Sequence, residues 1–446
     1  MAIESKLSRC SDTADRLSML PDEILIRNIL VLLPTEEAAR TSILSRRWRS
    51  LWLYILGLDF KAPGKPVACG CRDQKQILLH EAASKYADRV NQLIGAYRGG
   101  ASTLRHFCIS FRFEPTFSDD VNSWLAFALG KGTELLEFAG RWDRFTKCYK
   151  FPSIEPLLSP NLRLLKCLTL KYVSISTDSL DPILLRCEFL ERLHLHHLLS
   201  RTQVNVTGPM SRLKYIDISQ DCYSLASIII SAPTPDLVSL RYPSWVKISP
   251  IEHAPQLVDL VIDGCRNLER KNFELLSHPL FCYVSQLQAI DLDIPCFKKL
   301  LQWLPHFPDL SGLRHLKSTL GDDCRDMQAL HGVISLIKAA PYLQHLTLDV
   351  ENLREEVMIG EESADLHHKY RRVIEIIQFT GREVEFAFAA YLIKGLLSLE
   401  KLIITRRSRS SYYYKYRPAK ITFEEWKRRA LELKKILPLK VEVVVT

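Results

Sequence analysis

The stretch LPDEILIRNILVLLP, residues 20–34, decides how the rest of the chain is read. Nine of its fifteen residues are Ile, Leu or Val. As a helix it is too short to cross a bilayer, whose hydrocarbon core is about 30 Å thick. It is apolar on every side, whereas a surface helix carries a single apolar stripe. More than one of its faces therefore needs cover. Pro21 suits a first helical turn, and Asp22 and Glu23 set negative charge at the positive helix end. Pro34 stops the helix.

Two more short helices are expected at once. Thr35 is placed to cap TEEAARTSILS (35–45), where Ala38 and Ala39 thin the surface so that neighbours can approach. Ser45 is placed to cap RRWRSLWLYI (46–55). There Trp48, Leu51, Trp52 and Ile55 fall on one face at i, i+3, i+4 and i+7. So small a unit cannot bury Ile24, Leu25, Ile26, Ile29, Leu30, Val31, Leu32, Leu33, Trp48 and Trp52 within itself. The surplus meets either the rest of the chain, as a cap, or another protein. Residue chemistry leaves both open.

The composition sets bounds. Hydrophobic residues make up 47% and charged residues 25% of the 446, as in an ordinary folded chain, and a core of this size needs no disulfide staples. The twelve cysteines are scattered and form no CxxC pair; Cys69-Gly-Cys71 is the tightest spacing. They read as reduced thiols. The opening MAIESKLSRCSDTADR (1–16) lacks the apolar run of a secretory signal. No stretch approaches 18 apolar residues, so no membrane partner is expected. The net charge of +9 permits an acidic partner without demanding nucleic acid. GxxxxGK[ST], HExxH and GxSxG are all missing, so no catalytic residue, metal or cofactor is assigned.

GLDFKAPGKPVACGCRDQ (57–74) reads as a connector and KQILLHEAASKYADRVNQLIGAYRG (75–99) as a helix. From about residue 100 the unit L-x-x-L-x-L recurs. It appears at Leu104-Phe107-Ile109, Leu165-Leu168-Leu170, Leu190-Leu193-Leu195, Leu213-Ile216-Ile218 and Leu237-Leu240-Tyr242. It continues at Leu257-Leu260-Ile262, Leu287-Ile290-Leu292, Leu343-Leu346-Leu348 and Leu399-Leu402-Ile404, with weaker copies at Leu135-Phe138 and Leu313-Leu316. Most intervals run from 20 to 31 residues, the period of leucine-rich repeats. Each strand would bury its Leu/Ile side and stack parallel on the next.

Residues between the leucines then share the opposite, concave face. Arg192, His194, Tyr215, Asp217, Arg241, Asp259, Asp263, Asp291, Asp293 and His315 are its candidate target-binding residues. With Lys171 and His196 they suggest a basic end and an acidic centre, which would select a partner of matching charge. HLHH (194–197) places His194 and His196 on one face. Two histidines without a third ligand or a nearby carboxylate do not make a metal site, so they read as surface strand residues.

ENLREEVMIGEESADLHHKYRR (351–372) is charged and poor in aromatics, a loop or a helix. A strand RRVIEIIQF, a turn at Gly381 and a helix EVEFAFAAYLIKGL come next. The basic, Tyr-rich RRSRSSYYYKYR (406–417), a helix ITFEEWKRRALELKKIL and a strand KVEVVVT end the chain. The basic–aromatic cluster has the composition of a single-strand nucleic-acid site, but one short cluster is not a groove, and it reads as an exposed loop.

Two segments carry a family resemblance. DRLSMLPDEILIRNILVLLPTEEAARTSILSRRWRSLW (15–52) resembles a plant F-box almost without gaps. It matches D-R-[IL]-S-x-L-P-D-x-[IL]-L, then L-P-T, then A-x-x-T-S-x-L-S-x-R-W-x-x-L-W. It departs only at Leu32-Leu33, where the family often has a polar residue before Leu. The resemblance implies a three-helix module that docks on the Skp-type adaptor of cullin-based ubiquitin ligases. Carried over by position, the adaptor-facing set is Leu20, Pro21, Ile24, Leu25, Ile29, Leu33, Leu44, Ser45 and Trp48. Arg46, Arg47 and Arg49 form either a basic rim for an acidic adaptor or a solvated face. Towards the C-terminus, Phe379-Thr380-Gly381, Glu383, Glu385-Phe386-Ala387, Tyr391-Leu392, Leu399-Glu400-Lys401-Leu402 and Leu437-Pro438 resemble the FBD module that follows the repeats in many such proteins.

The expected fold class is α/β. A three-helix F-box is followed by an irregular leucine-rich-repeat solenoid of parallel strands, horseshoe-like, with a C-terminal α/β cap. The expected segments are a tail (1–14), the F-box (15–56), a linker with a helical lead-in (57–99), repeats (100–368) and the FBD-like module (369–446). The implied function is non-enzymatic: substrate recognition in a cullin-type ligase, in the nucleus or cytoplasm, through an adaptor and an unidentified protein target. A non-degradative repeat scaffold and an RNA-binding protein using residues 406–417 are the alternative readings.

Overall fold

The computed structural model describes residues 17, 19–61, 72–111, 114–140, 160–175, 177–198, 203–219, 225–231, 233–263, 279–294, 309–320, 327–350, 373–394, 398–406 and 422–446. The chain divides into two compact units. One comprises residues 1–150 with 157–165, the other residues 151–156 with 166–446.

The first unit begins with the three expected helical segments. The first is helical from Asp22 to Leu32 but not regular: Asp22–Ile24 is α, Leu25–Ile29 widens to a π turn, and Leu30–Leu32 tightens to 3-10. Leu33 is extended, as a residue before proline prefers. The second segment is Thr35–Arg40 running into Thr41–Ile43, the third Trp48–Leu51 running into Trp52–Tyr54. Ser45 caps the third: its hydroxyl accepts from the Trp48 amide at 3.4 Å. Thr35 does not cap the second. Its buried hydroxyl instead accepts from the Asp59 amide at 2.7 Å and ties the helices to a strand.

That strand, β1 (Gly57–Lys61), lies where a connector was expected. It pairs parallel with β2 (His106–Phe111), and β2 with β3 (Leu135–Gly140). Leu58, Phe107 and Leu136 align across the three, as do Phe60, Ile109 and Phe138, and all six are buried. Helices Arg72–Tyr97 and Ser118–Gly130 cover this face. Trp124, fully buried, donates to the Asn91 side chain at 2.6 Å, which satisfies its indole N–H. In β3 the repeat is shifted from the expected Leu135-Phe138. Leu135 is exposed, and Thr133, Leu136 and Phe138 take the inward positions.

The second unit holds the remaining strands. These are β4 (Cys167–Lys171), β5 (Arg192–His196), β6 (Gln203–Val206), β7 (Tyr215–Ser219), β8 (Ser227–Ile230), β9 (Ser239–Pro243) and β10 (Lys247–Ile248). They continue with β11 (Asp259–Asp263), β12 (Ala289–Ile294), β13 (His315–Leu320), β14 (His345–Asp349), β15 (Val373–Phe379), β16 (Lys401–Arg406) and β17 (Glu442–Val445). The main sheet runs β4-β5-β7-β9-β11-β12-β13-β14-β15-β16-β17, with each adjacent pair parallel. Its inward rows are in register. Leu168, Leu193, Ile216, Leu240, Leu260, Ile290, Leu316, Leu346, Ile374 and Leu402 form one buried row, the ladder that the L-x-x-L-x-L spacing predicts.

A second, three-stranded sheet, β10-β8-β6, was not foreseen. Val204, Val206, Ile228, Ile230 and Ile248 are its buried residues. The C-terminal strands β15–β17 extend the main sheet. Gly381, at φ +86°, turns the chain after β15, a backbone state that favours glycine. Glu385, fully buried, locks that turn. Its carboxylate accepts from the amides of Thr380 (2.7 Å), Gly381 (2.9 Å) and Arg382 (3.3 Å) and from the Arg382 guanidinium (2.7 Å).

The α/β class and the order of helical module then repeat sheet stand as expected. Residues 407–417, the core of the basic Tyr-rich segment, and 351–372 lie outside the described residues. Among the described residues no helix is long and apolar enough to cross a membrane.

Candidate functional site

Two surfaces follow from this packing. The first is the helical module. Leu25, Leu30, Ala38, Trp48, Leu51, Trp52 and Ile55 form its interior. One side docks within its own unit: Ala101 N donates to Leu53 O (2.9 Å), Arg105 N to Leu56 O (2.7 Å), and Arg89 pairs with Glu36 (2.9 Å). The other side is open and apolar. Ile43 is 87% exposed, Met19 and Leu32 79%, Leu44 63%, Val31 53%. The greasy helix thus serves both ends at once, an interior and an uncovered face.

Of the nine residues expected to face an adaptor, Pro21, Ile24, Leu33, Leu44 and Ser45 are exposed, and Leu20 and Ile29 are half-buried. Leu25 and Trp48 are buried in the module rather than exposed on its open face. An amphipathic count could not separate them, because the widened turn at Leu25–Ile29 rotates the face. Met19, Val31, Leu32 and Ile43 are exposed too, although the adaptor-facing set implied by the resemblance leaves them out. They lie at segment ends, where helical periodicity gives no direction. Arg46 and Arg49 are exposed, whereas Arg47 is tied to Asp22 at 2.6 Å.

The second surface is the outward face of the main sheet in the second unit. Arg192, Tyr215, Ser239, Asp259, Ala289, His315 and His345 align across consecutive strands. The next row runs Thr169, His194, Asp217, Arg241, Val261, Asp291, Lys317, Thr347 and Glu375. Asp263 is half-buried at the end of β11; for Asp293 only the backbone, in β12, is described. The structure therefore brings the candidate residues other than Asp293 onto one face.

Their charges are largely matched in place. Lys317 meets Asp291 at 2.7 Å, Ser239 donates to Asp259 at 2.6 Å, and Gln378 to Asp349 at 2.9 Å. Burial pushes the Asp263 carboxyl up, and Asp217 and Asp291 add to this against Arg241. Asp259, Asp291, His315, Lys317, His345 and Thr347 line a hollow of about 220 Å³.

Upstream on the same face Asp217 sits between two histidines, 3.7 Å from His194 Nδ1 and 3.5 Å from His196 Nε2. The Asp217 carboxylate, and after it the Cys167 sulfur, favour the protonated form of His194 and raise that imidazole to about 9 against the effect of burial. Burial lowers His196, outweighing the attraction of Asp217. Burial also opposes ionisation of Asp217, but His194, His196 and Arg241 together hold its carboxyl below the usual range. The carboxylate judged missing beside HLHH is therefore present, one strand away.

Comparison with known proteins agrees with this architecture. The F-box domain family matches residues 17–55. The family described as "At1g61320/AtMIF1, LRR domain" matches residues 153–430, which takes in most of the segment that resembles the FBD module. The F-box/LRR-repeat protein At3g03360 of Arabidopsis thaliana is 24% identical over 401 residues, 81% of this chain and 76% of that protein. The putative F-box/LRR-repeat protein At3g28410 from the same plant is 30% identical over 209 residues, covering 43% of this chain and 39% of the relative. The putative F-box protein At3g58860, also from Arabidopsis thaliana, is 29% identical over 283 residues, 59% of each. The chain thus spans less than two thirds of some of these relatives. An F-box match at the exposed helical module, and a repeat match over the parallel sheet, place this chain in the plant F-box/leucine-rich-repeat family.

Proposed function

We propose that the chain is the substrate-recognition subunit of a cullin-type ubiquitin ligase. Its helical module binds the Skp-type adaptor, and the outward sheet face of the second unit binds a protein target. One observation carries the reading: a folded F-box with its own interior still leaves Met19, Val31, Leu32, Ile43 and Leu44 to solvent on one module. So many exposed large apolar side chains on one small module mark an interaction site. Arg46 and Arg49 supply a basic rim that would steer an acidic adaptor.

The mechanism is geometric. Holding a target near the charged ubiquitin carrier raises the effective concentration of its lysines, so the chain needs no catalytic group of its own. The paired charges on the sheet face favour a polar target surface over an apolar one, because an apolar partner would strand Asp291 and Lys317 without water.

Co-expression with a plant Skp-type adaptor tests the reading. A one-to-one complex that survives gel filtration supports it. A folded chain that elutes alone would remove it and make the helical module a cap for the repeats.

A further inference from the structure

We infer that His194, His196 and Asp217 form a binding site for a divalent transition cation of the zinc class on the outward face of the repeat sheet. The three donors lie within 4.8 Å of one another. A tetrahedral ion with bonds of about 2.0–2.1 Å sets its donor atoms roughly 3.3 Å apart. The carboxylate oxygen is already 3.7 Å from His194 Nδ1 and 3.5 Å from His196 Nε2, so only the two imidazoles must draw together. Their ring centroids stand 6.2 Å apart at 17°, so both side chains must rotate to bring their nitrogens onto one ion.

The supporting groups fit the same assignment. Ser219 Oγ meets His196 Nδ1, which holds the ring and frees Nε2 towards Asp217. Metal-bound imidazoles are commonly fixed in this way through the other ring nitrogen. Asp217 Oδ1 is buried without a hydrogen-bond partner, its nearest cation being Arg241 Nε at 4.0 Å. A carboxylate so placed has spare charge to give to a cation at Oδ2. Two imidazoles with one carboxylate suit zinc and its neighbours rather than calcium or magnesium, which prefer all-oxygen sets. Three protein ligands leave a fourth position for water or for a donor side chain from a docked segment. Lys171 and Arg241 are the neighbouring cations that oppose binding, and the ion must displace the proton that Asp217 favours on His194.

The backbone frame is independent of the ion. β5 carries both histidines and β7 carries Asp217, each held by ladder hydrogen bonds and buried Leu and Ile side chains, so conservative variants keep the fold.

The test uses the full chain without a histidine tag, stripped with chelator, and Zn²⁺ alone as probe. Histidine labelling with diethyl pyrocarbonate, read by mass spectrometry, is compared with and without zinc. Zinc is expected to protect His194 and His196 but not the exposed His253. Calorimetry should lose one zinc equivalent in Asp217→Asn and in His196→Gln. Ser219→Ala should keep that equivalent, weakened by about 10- to 100-fold. His253→Gln should change nothing, and circular dichroism reports that each variant is folded. Equal labelling with and without zinc, or an equivalent retained in folded Asp217→Asn, overturns the site and assigns any zinc uptake to the cysteines.

Discussion

Arg47 reaches back to Asp22 across 25 residues, its guanidinium 2.6 Å from the carboxylate, and also donates to the carbonyl oxygen of Leu20. This clasp joins the third helical segment to the start of the first, beside the open apolar face. The pair is partly exposed, so its ion-pair part is worth little, while the carbonyl hydrogen bond adds to it.

Arg47→Ala is therefore expected to lower stability by about 1 kcal/mol, read as a shift in urea midpoint. Adaptor binding should weaken with it. Unchanged stability together with unchanged binding would show the clasp to be incidental.

Ser318 occupies an inward position between Leu292 and Leu348, and its buried hydroxyl lacks a hydrogen-bond partner. A stranded buried hydroxyl costs free energy that an alanine does not. Ser318→Ala should raise stability by about 1–2 kcal/mol. A destabilised variant would mean that Ser318 has a partner in solution.

Glu385 gathers its donors from three consecutive residues. Glu385→Ala leaves the Thr380 and Gly381 amides without the carboxylate that accepts from them, and should cost about 3 kcal/mol. Glu385→Gln keeps the shape and part of the bonding, so it should fall between. If thermal melts placed both variants at wild type, the turn would not depend on the carboxylate.

Hydrogen bonds from Arg428 and then Arg429 hold the exposed Glu425 carboxyl down to about 2, against an ordinary value near 4.5. A depressed folded value stabilises above the unfolded value and fades as pH falls towards the folded one. The melting difference between wild type and Arg428→Ala should thus be steady above about pH 5 and shrink below about 4.5. A difference that stays constant down to pH 3 would contradict the assignment.

Much of this was readable in advance. The three helical segments announced themselves through Pro21, Pro34, Ser45 and the Trp48–Trp52 spacing. The repeat ladder followed from leucines at fixed offsets, because a parallel strand in a solenoid buries alternate residues. β1 was hidden, since Leu58 and Phe60 are its only buried residues and Gly and Pro crowd the flanking sequence. β6, β8 and β10 are two to four residues long, too short for a period to show. Nor does helical periodicity separate Leu25 from Leu32, whose fates differ because the turn between them widens and then tightens. The Asp217 contact was legible in principle. Leu190 and Leu213 are one repeat apart, and the same offset sets His194 against Asp217 and His196 against Ser219.

The central claim is that the exposed module face, and not its interior, meets an adaptor. The deciding measurement is the dissociation constant of a purified plant Skp-type adaptor for wild type, Leu32→Asp, Ile43→Asp and Leu25→Ala, alongside each unfolding midpoint. The account predicts that Leu32→Asp and Ile43→Asp keep the wild-type midpoint and lose binding by at least about tenfold each, a change of about 1.4 kcal/mol. Leu25→Ala should lower the midpoint, at a cost of about 2–5 kcal/mol. Wild-type affinity in stably folded Leu32→Asp and Ile43→Asp would contradict it.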